Sequence, residues 1–327
     1  MPLKNWLLLV FVAICAGAAI AKAPTSDQVT LVVANAASNA VAFYPLGAHG
    51  NVSPVHVLQG PRTRLQHPNS VWPVTGSQLY VANRAGASIS VYRYAQGGNT
   101  APVATIRGNK TGLRMPCCVE VDAKLNIWVA DSAANSIFEF RAGANGNIAP
   151  MLRLAGPHTG INGPAGLHVA FRTGDIYVSN ARDSSLEVFS AGTHGDAAPR
   201  QHIAGSKTGL RDPAELHLDL KGNMWVANTA GGNVLQFAYN GTGNIAPMNA
   251  LSLSGGKPFS PTGLFPDFSD NIFVADALHN TVYEFASTAK GPSKPIATLR
   301  GNKTGLQAPT QVSIPQPEFM ALPSATP

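Results

Sequence analysis

The chain repeats itself every 48 or 49 residues. A short apolar segment that ends in Asn or Asp occurs six times, as "LVVAN", "LYVAN", "IWVAD", "IYVSN", "MWVAN" and "IFVAD". The closing residues are Asn35, Asn83, Asp131, Asn180, Asn228 and Asp276, separated by 48, 48, 49, 48 and 48 positions. An aromatic residue nine positions later and two further prolines keep the same register. Four anchors in register over six copies establish a repeat protein of six units.

Each unit has the composition of one small antiparallel sheet. The third unit, for example, contains four runs rich in β-branched and aromatic residues, "CVEVD", "NIWVAD", "SIFEF" and "PMLRLAG". Gly, Pro, Asn and Asp bound these runs, as expected for strands joined by tight turns. A period of about 40 to 50 residues with four strands predicts an all-β, six-bladed β-propeller with four antiparallel strands per blade.

The two ends of the repeat predict how the ring closes. The first unit begins at its second strand, whereas the last proline anchor, Pro309, is followed by "TQVSI", which matches "CCVEV" after Pro116. We therefore expect a C-terminal strand at Thr310 to Ile314 to complete the first blade and remove the open seam. The predicted propeller spans residues 22–315, and residues 316–327 are expected to form a tail.

The first 21 residues form a long apolar run with one lysine and small residues at its end. This pattern is typical of a secretory signal peptide, although its length is also compatible with an uncleaved membrane anchor. It predicts a secreted or periplasmic protein with no membrane contact apart from the signal peptide. The formal charge of +6 favours anionic partners weakly, and export argues against nucleic acid as a partner.

The stretch "LNIWVADSAANSIFEF", with the proline and "V.VD" before it, resembles the NHL repeat. The mature chain is similar to secreted six-bladed NHL-type propellers and, more broadly, to gluconolactonase-like propellers. This resemblance implies the fold, but the architecture includes hydrolases, lyases and binding modules. In metal-dependent members, ligands commonly follow the blade proline. The corresponding residues here are Asn69, Cys117, Ala165, Ala214, Thr262 and Thr310. Only Asn69 suits a metal, so the resemblance does not predict the usual calcium or zinc site.

The innermost strands depart most from the repeat. Strand alternation places the second and fourth residues after each inner proline on one side. These pairs are Ser70 and Trp72, Cys118 and Glu120, Gly166 and His168, Glu215 and His217, Gly263 and Phe265, and Gln311 and Ser313. Glu120, His168, Glu215 and His217 should therefore lie together in the channel, where they suit a divalent metal ion or general acid/base catalysis. The alternative is that they hydrogen-bond between blades without chemistry.

Two further sets of polar residues recur with the repeat. The six Asn or Asp anchors are predicted to accept backbone hydrogen bonds in Asx turns, which is a structural role. Basic residues recur six positions before the inner prolines, at Arg62, Lys110, His158, Lys207 and Lys303. This basic ring is predicted to surround one channel mouth and attract an anionic ligand, with solvated turns as the alternative.

Cys117 and Cys118 are adjacent and are the only cysteines outside the N-terminal segment. Export favours a Cys117–Cys118 disulfide. Such a bridge is strained, because adjacent Cα atoms lie about 3.8 Å apart and disulfides usually span about 4.4 to 6.8 Å. The alternatives are two buried, reduced side chains pointing to opposite sides of the strand, or a nucleophilic thiol.

Two functional hypotheses follow. In the first, the propeller is a module that binds an anionic small molecule, a glycan or an extracytoplasmic protein through its loop face and channel mouth. Its predicted ligand-binding residues are Cys117, Cys118, Ser70, Gln311, Lys110, Lys207 and Lys303. In the second, it is a metal-dependent extracytoplasmic hydrolase or lyase, similar to a lactonase, with a divalent metal ion at the Glu120, His168, Glu215 and His217 cluster.

Overall fold

A computed structural model of the chain describes residues 30–74 and 77–315. The predicted signal peptide and the predicted C-terminal tail lie outside these residues. Six small sheets form a closed ring, so the predicted six-bladed β-propeller is confirmed. The helical segments of the described residues are short, and none has the length and hydropathy needed to cross a membrane.

Every blade contains four antiparallel strands, numbered here in chain order. The strands of the first three blades are β1 (Thr30–Asn35), β2 (Ala40–Pro45), β3 (His56–Gln59), β4 (Pro68–Pro73), β5 (Gln78–Asn83), β6 (Ser88–Arg93), β7 (Ala104–Arg107), β8 (Pro116–Val121), β9 (Ile127–Asp131), β10 (Ser136–Phe140) and β11 (Leu152–Leu154). Those that follow are β12 (Pro164–Val169), β13 (Ile176–Asn180), β14 (Ser185–Phe189), β15 (Gln201–Ile203), β16 (Pro213–Leu218), β17 (Met224–Asn228), β18 (Asn233–Phe237), β19 (Asn249–Leu253), β20 (Pro261–Pro266), β21 (Ile272–Asp276), β22 (Thr281–Phe285), β23 (Pro292–Ser293), β24 (Ala297–Arg300) and β25 (Pro309–Ser313).

The ring closes by strand exchange, as predicted. Strand β25 is the innermost strand of the first blade and pairs antiparallel with β1, with Val312 opposite Val33 and Gln311 opposite Ala34. The order of that sheet is β25-β1-β2-β3. The two ends of the propeller are thereby held by backbone hydrogen bonds, and no open seam is left between the first and last blades.

The loops between third and fourth strands join neighbouring blades at the rim. A glycine follows the outer strand of each of five blades. The residue two positions after this glycine donates its backbone N–H to an Asn or Asp in the loop of the next blade. These bonds join Asn99 to Arg62, Asn147 to Lys110, Asp196 to His158, Asn244 to Lys207 and Asn51 to Lys303, at 2.7 to 2.8 Å. We call these bonds the rim clasps. At the remaining junction, β23 pairs parallel with β19 instead.

The recurring aromatic residues pack between blades. Tyr44, Tyr92, Phe140, Phe189, Phe237 and Phe285 are fully buried. Each such ring removes roughly 150 to 250 Å² of surface from water, so these residues supply much of the hydrophobic stabilisation of the ring. The aromatic anchors therefore have a packing role in the fold.

The Asn and Asp anchors accept backbone N–H groups, but mostly not in the predicted Asx turns. Their main partners precede the inner strand of the same blade: Gln307 for Asn35, Gln66 for Asn83, Arg114 and Met115 for Asp131, Asn162 for Asn180, Arg211 for Asn228 and Ser260 for Asp276. Only Asp131 also bonds the N–H two residues ahead, that of Ala133. The anchors therefore hold the loop that leads into the channel.

Candidate metal centre in the channel

A β-bulge at the start of every innermost strand determines what faces the channel. In β8, Pro116 pairs with Asp131 and Cys118 pairs with Ala130, so Cys117 has no partner of its own. The same irregularity follows the first residue of β4, β12, β16, β20 and β25. A bulge re-aims side chains, and here the residues directly after all six inner prolines line one cavity of about 470 Å³. We call it the proline-side cavity.

Beyond the bulge, strand alternation brings Glu120 and His168 together as predicted. Glu120 Oε1 lies 3.3 Å from His168 Nδ1, and Glu120 Oε2 accepts the backbone N–H of Val169 at 2.8 Å. Only 2% of the Glu120 side chain is exposed, against 16% for His168. Burial raises the pKa of the Glu120 carboxyl group, and the neighbouring His168 opposes that rise. Glu120 is thus fixed by the backbone of the next blade.

His217 lies between two carboxyl groups without a hydrogen bond to either. Its Nδ1 is 3.8 Å from Glu120 Oε1, and its Nε2 is 3.7 Å from Glu215 Oε1. Both distances are too long for hydrogen bonds. His217 Nε2 and Glu215 Oε1 are buried and have no hydrogen-bond partner among the described residues. Buried polar atoms normally have partners, so His217 is not held by a complete hydrogen-bond network.

Burial sets the protonation of the cluster. It lowers the pKa of His217 well below the usual range, and the charge of His168 lowers it further. It raises the pKa of Glu215 well above the usual range, with the charge of Glu120 as the next cause. His217 is therefore neutral at pH 7, which is the form that binds metals, and Glu215 holds a proton more readily than an exposed carboxyl group.

The geometry of three of these side chains fits a divalent metal ion. Ligand atoms of Glu120, His168 and His217 all lie within 4.8 Å of one another. Two ligands of a tetrahedral zinc ion lie about 3.4 Å apart when each is about 2.1 Å from the metal. The distances of 3.3 and 3.8 Å from Glu120 Oε1 to the imidazoles are close to that value. Two histidines and one glutamate also leave a coordination position open, as in catalytic zinc sites.

A second cavity gives access to this cluster from the other end of the channel. It has a volume of about 300 Å³, and Trp72, His168, His217 and Phe265 are among its lining residues. We call it the aromatic cavity. The proline-side cavity is lined by Glu215 instead, and no residue lines both cavities. The cluster therefore separates two chambers, with His168 and His217 facing one and Glu215 the other.

Ser70 and Gln311, predicted as ligand-binding residues, hold the inner strands together. Ser70 Oγ accepts the N–H of Val119 at 3.0 Å, and Gln311 Oε1 accepts the N–H of Val71 at 2.6 Å. Both side chains are at most 1% exposed. They satisfy backbone groups at the free inner edges of neighbouring blades, and their acceptor atoms are directed at the protein itself.

The predicted disulfide is not present in the structure. Cys117 and Cys118 are both free and buried, and their sulfurs lie 3.2 Å apart, beyond the bond length of about 2.05 Å. The bulge also turns both sulfurs to one side, so the alternative of opposite orientations is wrong. Each thiol donates to a carbonyl of the fourth blade, Cys117 to Pro164 and Cys118 to Ala165, both at 3.1 Å.

The basic loops lie farther from the channel than predicted. Lys110, Lys207 and Lys303 are exposed at the rim clasps and line neither the proline-side nor the aromatic cavity. The arginines at the proline-side mouth are Arg84 and Arg182 instead. Both follow an Asn anchor by one or two residues in the turn between second and third strands. The sequence carried this signal, because the turn emerges on the same face as the inner prolines.

Comparison with known proteins supports the fold and leaves the activity open. No protein-family model matches the chain, and no curated protein matches it in sequence. Solved structures do match. A propeller in the nidogen/laminin complex has a TM-score of 0.63 at 15% identity, covering 88% of this chain and 98% of that one. A candidate 6-phosphogluconolactonase from Bacteroides fragilis has a TM-score of 0.58 at 12% identity, covering 90% of this chain and 100% of that one.

A third match is a catalytically inactive variant of virginiamycin B lyase from Staphylococcus aureus in complex with quinupristin. Its TM-score is 0.50 at 12% identity, and the likeness covers 68% of each chain. At such identities the likeness concerns the fold alone. The resemblance to NHL-type and gluconolactonase-like propellers is confirmed at that level, and the chemistry has to be argued from the channel residues.

Proposed function

We propose that this protein is a metal-dependent hydrolase of esters or lactones, with a divalent ion of the zinc type bound by Glu120, His168 and His217. The observation that carries the proposal is the position of His217. This imidazole is 2% exposed, and both ring nitrogens lie 3.7 to 3.8 Å from carboxyl oxygens without hydrogen bonds. An ion between His217 Nδ1 and Glu120 Oε1 accounts for one of these gaps, since each ligand bond is about 2.0 to 2.2 Å long.

The chain supplies a supporting group for this site. With Nδ1 on the metal, His217 Nε2 carries the proton and faces Glu215 Oε1 at 3.7 Å. Metal-bound histidines usually donate their second N–H to a carboxyl group or carbonyl, which fixes the tautomer and ring orientation. The backbone N–H groups of Leu216 and Leu167 lower the pKa of the Glu215 carboxyl group and so oppose the effect of its burial. Glu215 is therefore a positioning residue in this proposal.

The metal would act as a Lewis acid toward a substrate carbonyl or bound water. In hydrolysis, water adds to the carbonyl carbon, the acyl C–O bond breaks, and the leaving oxygen takes up a proton. His168 is the most exposed member of the cluster, so the substrate approaches through the aromatic cavity. Similar propellers bear the names of a lyase and a candidate lactonase, so this architecture is compatible with such chemistry. An elimination on the same substrates is the related alternative.

Metal analysis of the purified protein, with a screen of lactones and esters, tests the proposal. We expect stoichiometric metal and turnover in the parent, and loss of both in Glu120→Gln and His217→Ala. The matched control is His202→Gln, because His202 is a histidine on β15 that pairs with Glu187, outside the cluster. Metal content that is absent in the parent, or unchanged in both cluster variants, would contradict the metal site and leave a structural network.

A binding role for the proline-side cavity is a second candidate. Arg84, Arg182 and His67 line this cavity of about 470 Å³, which favours an anionic small molecule or acidic glycan. Weaker retention of an Arg84→Gln, Arg182→Gln double variant on an anionic polymer, relative to Lys110→Gln, would support this role. Equal retention would exclude it.

We further propose that the protein acts outside the cytoplasm, because of the signal-peptide pattern at residues 1–21. N-terminal sequencing of the exported protein tests this. A mature N-terminus at Lys22 is expected, and retention of the full chain in the cytoplasm would contradict it.

A further inference from the structure

The three tryptophans of the described chain differ in one respect. Trp128 Nε1 donates to Asp122 at 3.1 Å, and Trp225 Nε1 donates to Asp219 at 3.2 Å. Trp72 is 7% exposed, and its Nε1 has no hydrogen-bond partner among the described residues. A buried indole N–H normally has an acceptor. The Nε1 atom is itself enclosed by protein atoms, so Trp72 presents its ring to the channel rather than this donor.

Trp72 lies in the wall of the aromatic cavity, next to the cluster. Its ring is stacked on His217, with centroids 6.2 Å apart and planes at 15°. Phe265 completes this wall, with its centroid 4.7 Å from that of His217 and 6.2 Å from that of Trp72. A group bound here contacts flat apolar surfaces on two sides and lies close to the His217 imidazole. Such a wall favours an aromatic ring in the ligand.

The charges around this cavity are opposite to those at the other mouth. Asp219, Asp267 and Asp270 line it together with Arg172. These carboxylates accept hydrogen bonds from turns at this end of the channel, as Asp219 does from Lys221 and Asn223, Asp267 from Ser269 and Asn271, and Asp270 from Leu220. These three acidic side chains outnumber Arg172 at this mouth, which disfavours anionic ligands.

From these contacts we infer that the aromatic cavity is the substrate-binding subsite of the channel. Its ligand is a small, uncharged aromatic ester or lactone. The aromatic group lies against the rings of Trp72 and Phe265. The cavity of about 300 Å³ is at the lower end of the range for small-molecule sites, which fits one ring and one ester group. The inference rests on the proposed hydrolase and specifies its substrate class.

Binding to metal-free protein tests the subsite separately from the metal. The probe is benzyl acetate, titrated into chelator-treated protein by calorimetry, with 4-(acetoxymethyl)benzoate as the charged probe of the same shape. We expect benzyl acetate to bind at least 10-fold more tightly than the benzoate. Trp72→Leu removes the flat ring, so it should weaken benzyl acetate about 5- to 10-fold, the value of one aromatic contact. Trp128→Leu is the matched control and should bind as the parent does.

Equal binding of the two probes, or equal binding by Trp72→Leu and the parent, would overturn the inference. Phe265→Leu provides a second variant if Trp72→Leu unfolds, and it too should weaken benzyl acetate. Metal content is measured on portions of the same preparations that are taken before the chelator is added. Trp72-dependent binding without any bound metal would keep the subsite and overturn the proposed hydrolase. Bound metal without Trp72-dependent binding would overturn the subsite alone.

Discussion

The rim clasp and the innermost strand can be compared blade by blade. At the rim, five of six junctions use the same Asn or Asp bond to the same backbone position, within 0.1 Å of one length. In the channel, the fourth residue after the inner proline differs in almost every blade. These residues are Trp72, Glu120, His168, His217, Phe265 and Ser313.

The difference shows which residues the fold needs. A side chain that recurs at one position and makes one bond around the ring stabilises the ring, whatever its chemistry. The repeat does not require a particular side chain at positions that have equal depth but differ from blade to blade. In blades three to five, these positions hold the titratable cluster. Repetition therefore identifies structure, and departure at the channel identifies the candidate site. Substitutions at the repeated anchors and in the channel should therefore have different effects on stability and on metal binding.

The largest effect is expected at a repeated anchor. The carboxylate of Asp131 accepts the backbone N–H groups of Arg114, Met115, Ala133 and Ala134. Asp131→Ala should destabilise the protein by about 3 to 4 kcal/mol, because four donors lose a charged acceptor. Denaturant unfolding measures this. Asp131→Asn is the matched control, since Asn occupies this position in four other blades, and it should cost about 1 kcal/mol. If Asp131→Ala lost metal but kept its stability, the conclusion that repeated residues serve the fold and variable channel residues form the site would be wrong.

The next largest effect is expected at Glu187, a residue outside the channel that differs from its counterparts in the other blades. Glu187 on β14 is buried, and burial raises its pKa to about 7, while its bond to His202 opposes that rise. Because the folded-state pKa lies above the usual value, this residue favours folding below about pH 4.5, and that contribution is lost as the pH rises through 7. Glu187→Gln should therefore be more stable than the parent at pH 8, by on the order of 2 to 3 kcal/mol.

Thermal unfolding from pH 5 to pH 8 measures this difference. The parent should lose stability along this range relative to Glu187→Gln, and metal content should be the same in both proteins. His202→Gln is the control that keeps the carboxyl group. Parallel stability profiles for parent and Glu187→Gln would show that Glu187 is ionised in the fold at a normal pKa. Loss of metal in Glu187→Gln would break the rule that only channel departures mark the site.

Glu215 should affect the metal more than the fold. Glu215→Ala removes the group that faces His217 Nε2. Loss of a residue that orients a metal ligand typically lowers metal affinity about 10- to 100-fold. Glu215→Gln keeps an acceptor oxygen and should restore most of that affinity. Competition with a chelator measures the affinity of each variant. Equal affinity in Glu215→Ala and the parent would contradict the positioning role, whereas equal loss in both variants would indicate that the charge of Glu215 is needed.

The sequence predicted the features that the repeat itself imposes. Each blade needs a turn, an acceptor and an interblade ring at the same points, so the 48-residue register, the strand exchange and the buried aromatics could be inferred from spacing. The cluster could also be predicted, because Glu120, His168 and His217 lie beyond the bulge, where alternation holds.

Features that depend on pairing between strands could not be predicted in the same way. The bulge after each inner proline is a property of register, and it turned Cys117 to the side of Cys118. The bond from the Gln66 N–H to Asn83 Oδ1 joins residues 17 positions apart, which a local turn rule does not consider.

The smallest effect is expected at the cysteine pair. Cys117 donates to Pro164 O at 3.1 Å, and its counterparts Thr262 and Thr310 donate to Pro309 O and Pro68 O at 2.9 and 3.1 Å. Cys117 thus has the position and bond of a threonine, which makes it part of the repeated structure. Cys117→Thr should change the free energy of unfolding by less than about 1 kcal/mol, because one donor replaces another. Denaturant unfolding under reducing conditions measures this, with Cys118→Thr as the comparison. Stability lost by several kcal/mol, or benzyl acetate binding lost in Cys117→Thr, would place the thiol among the departures that define the channel.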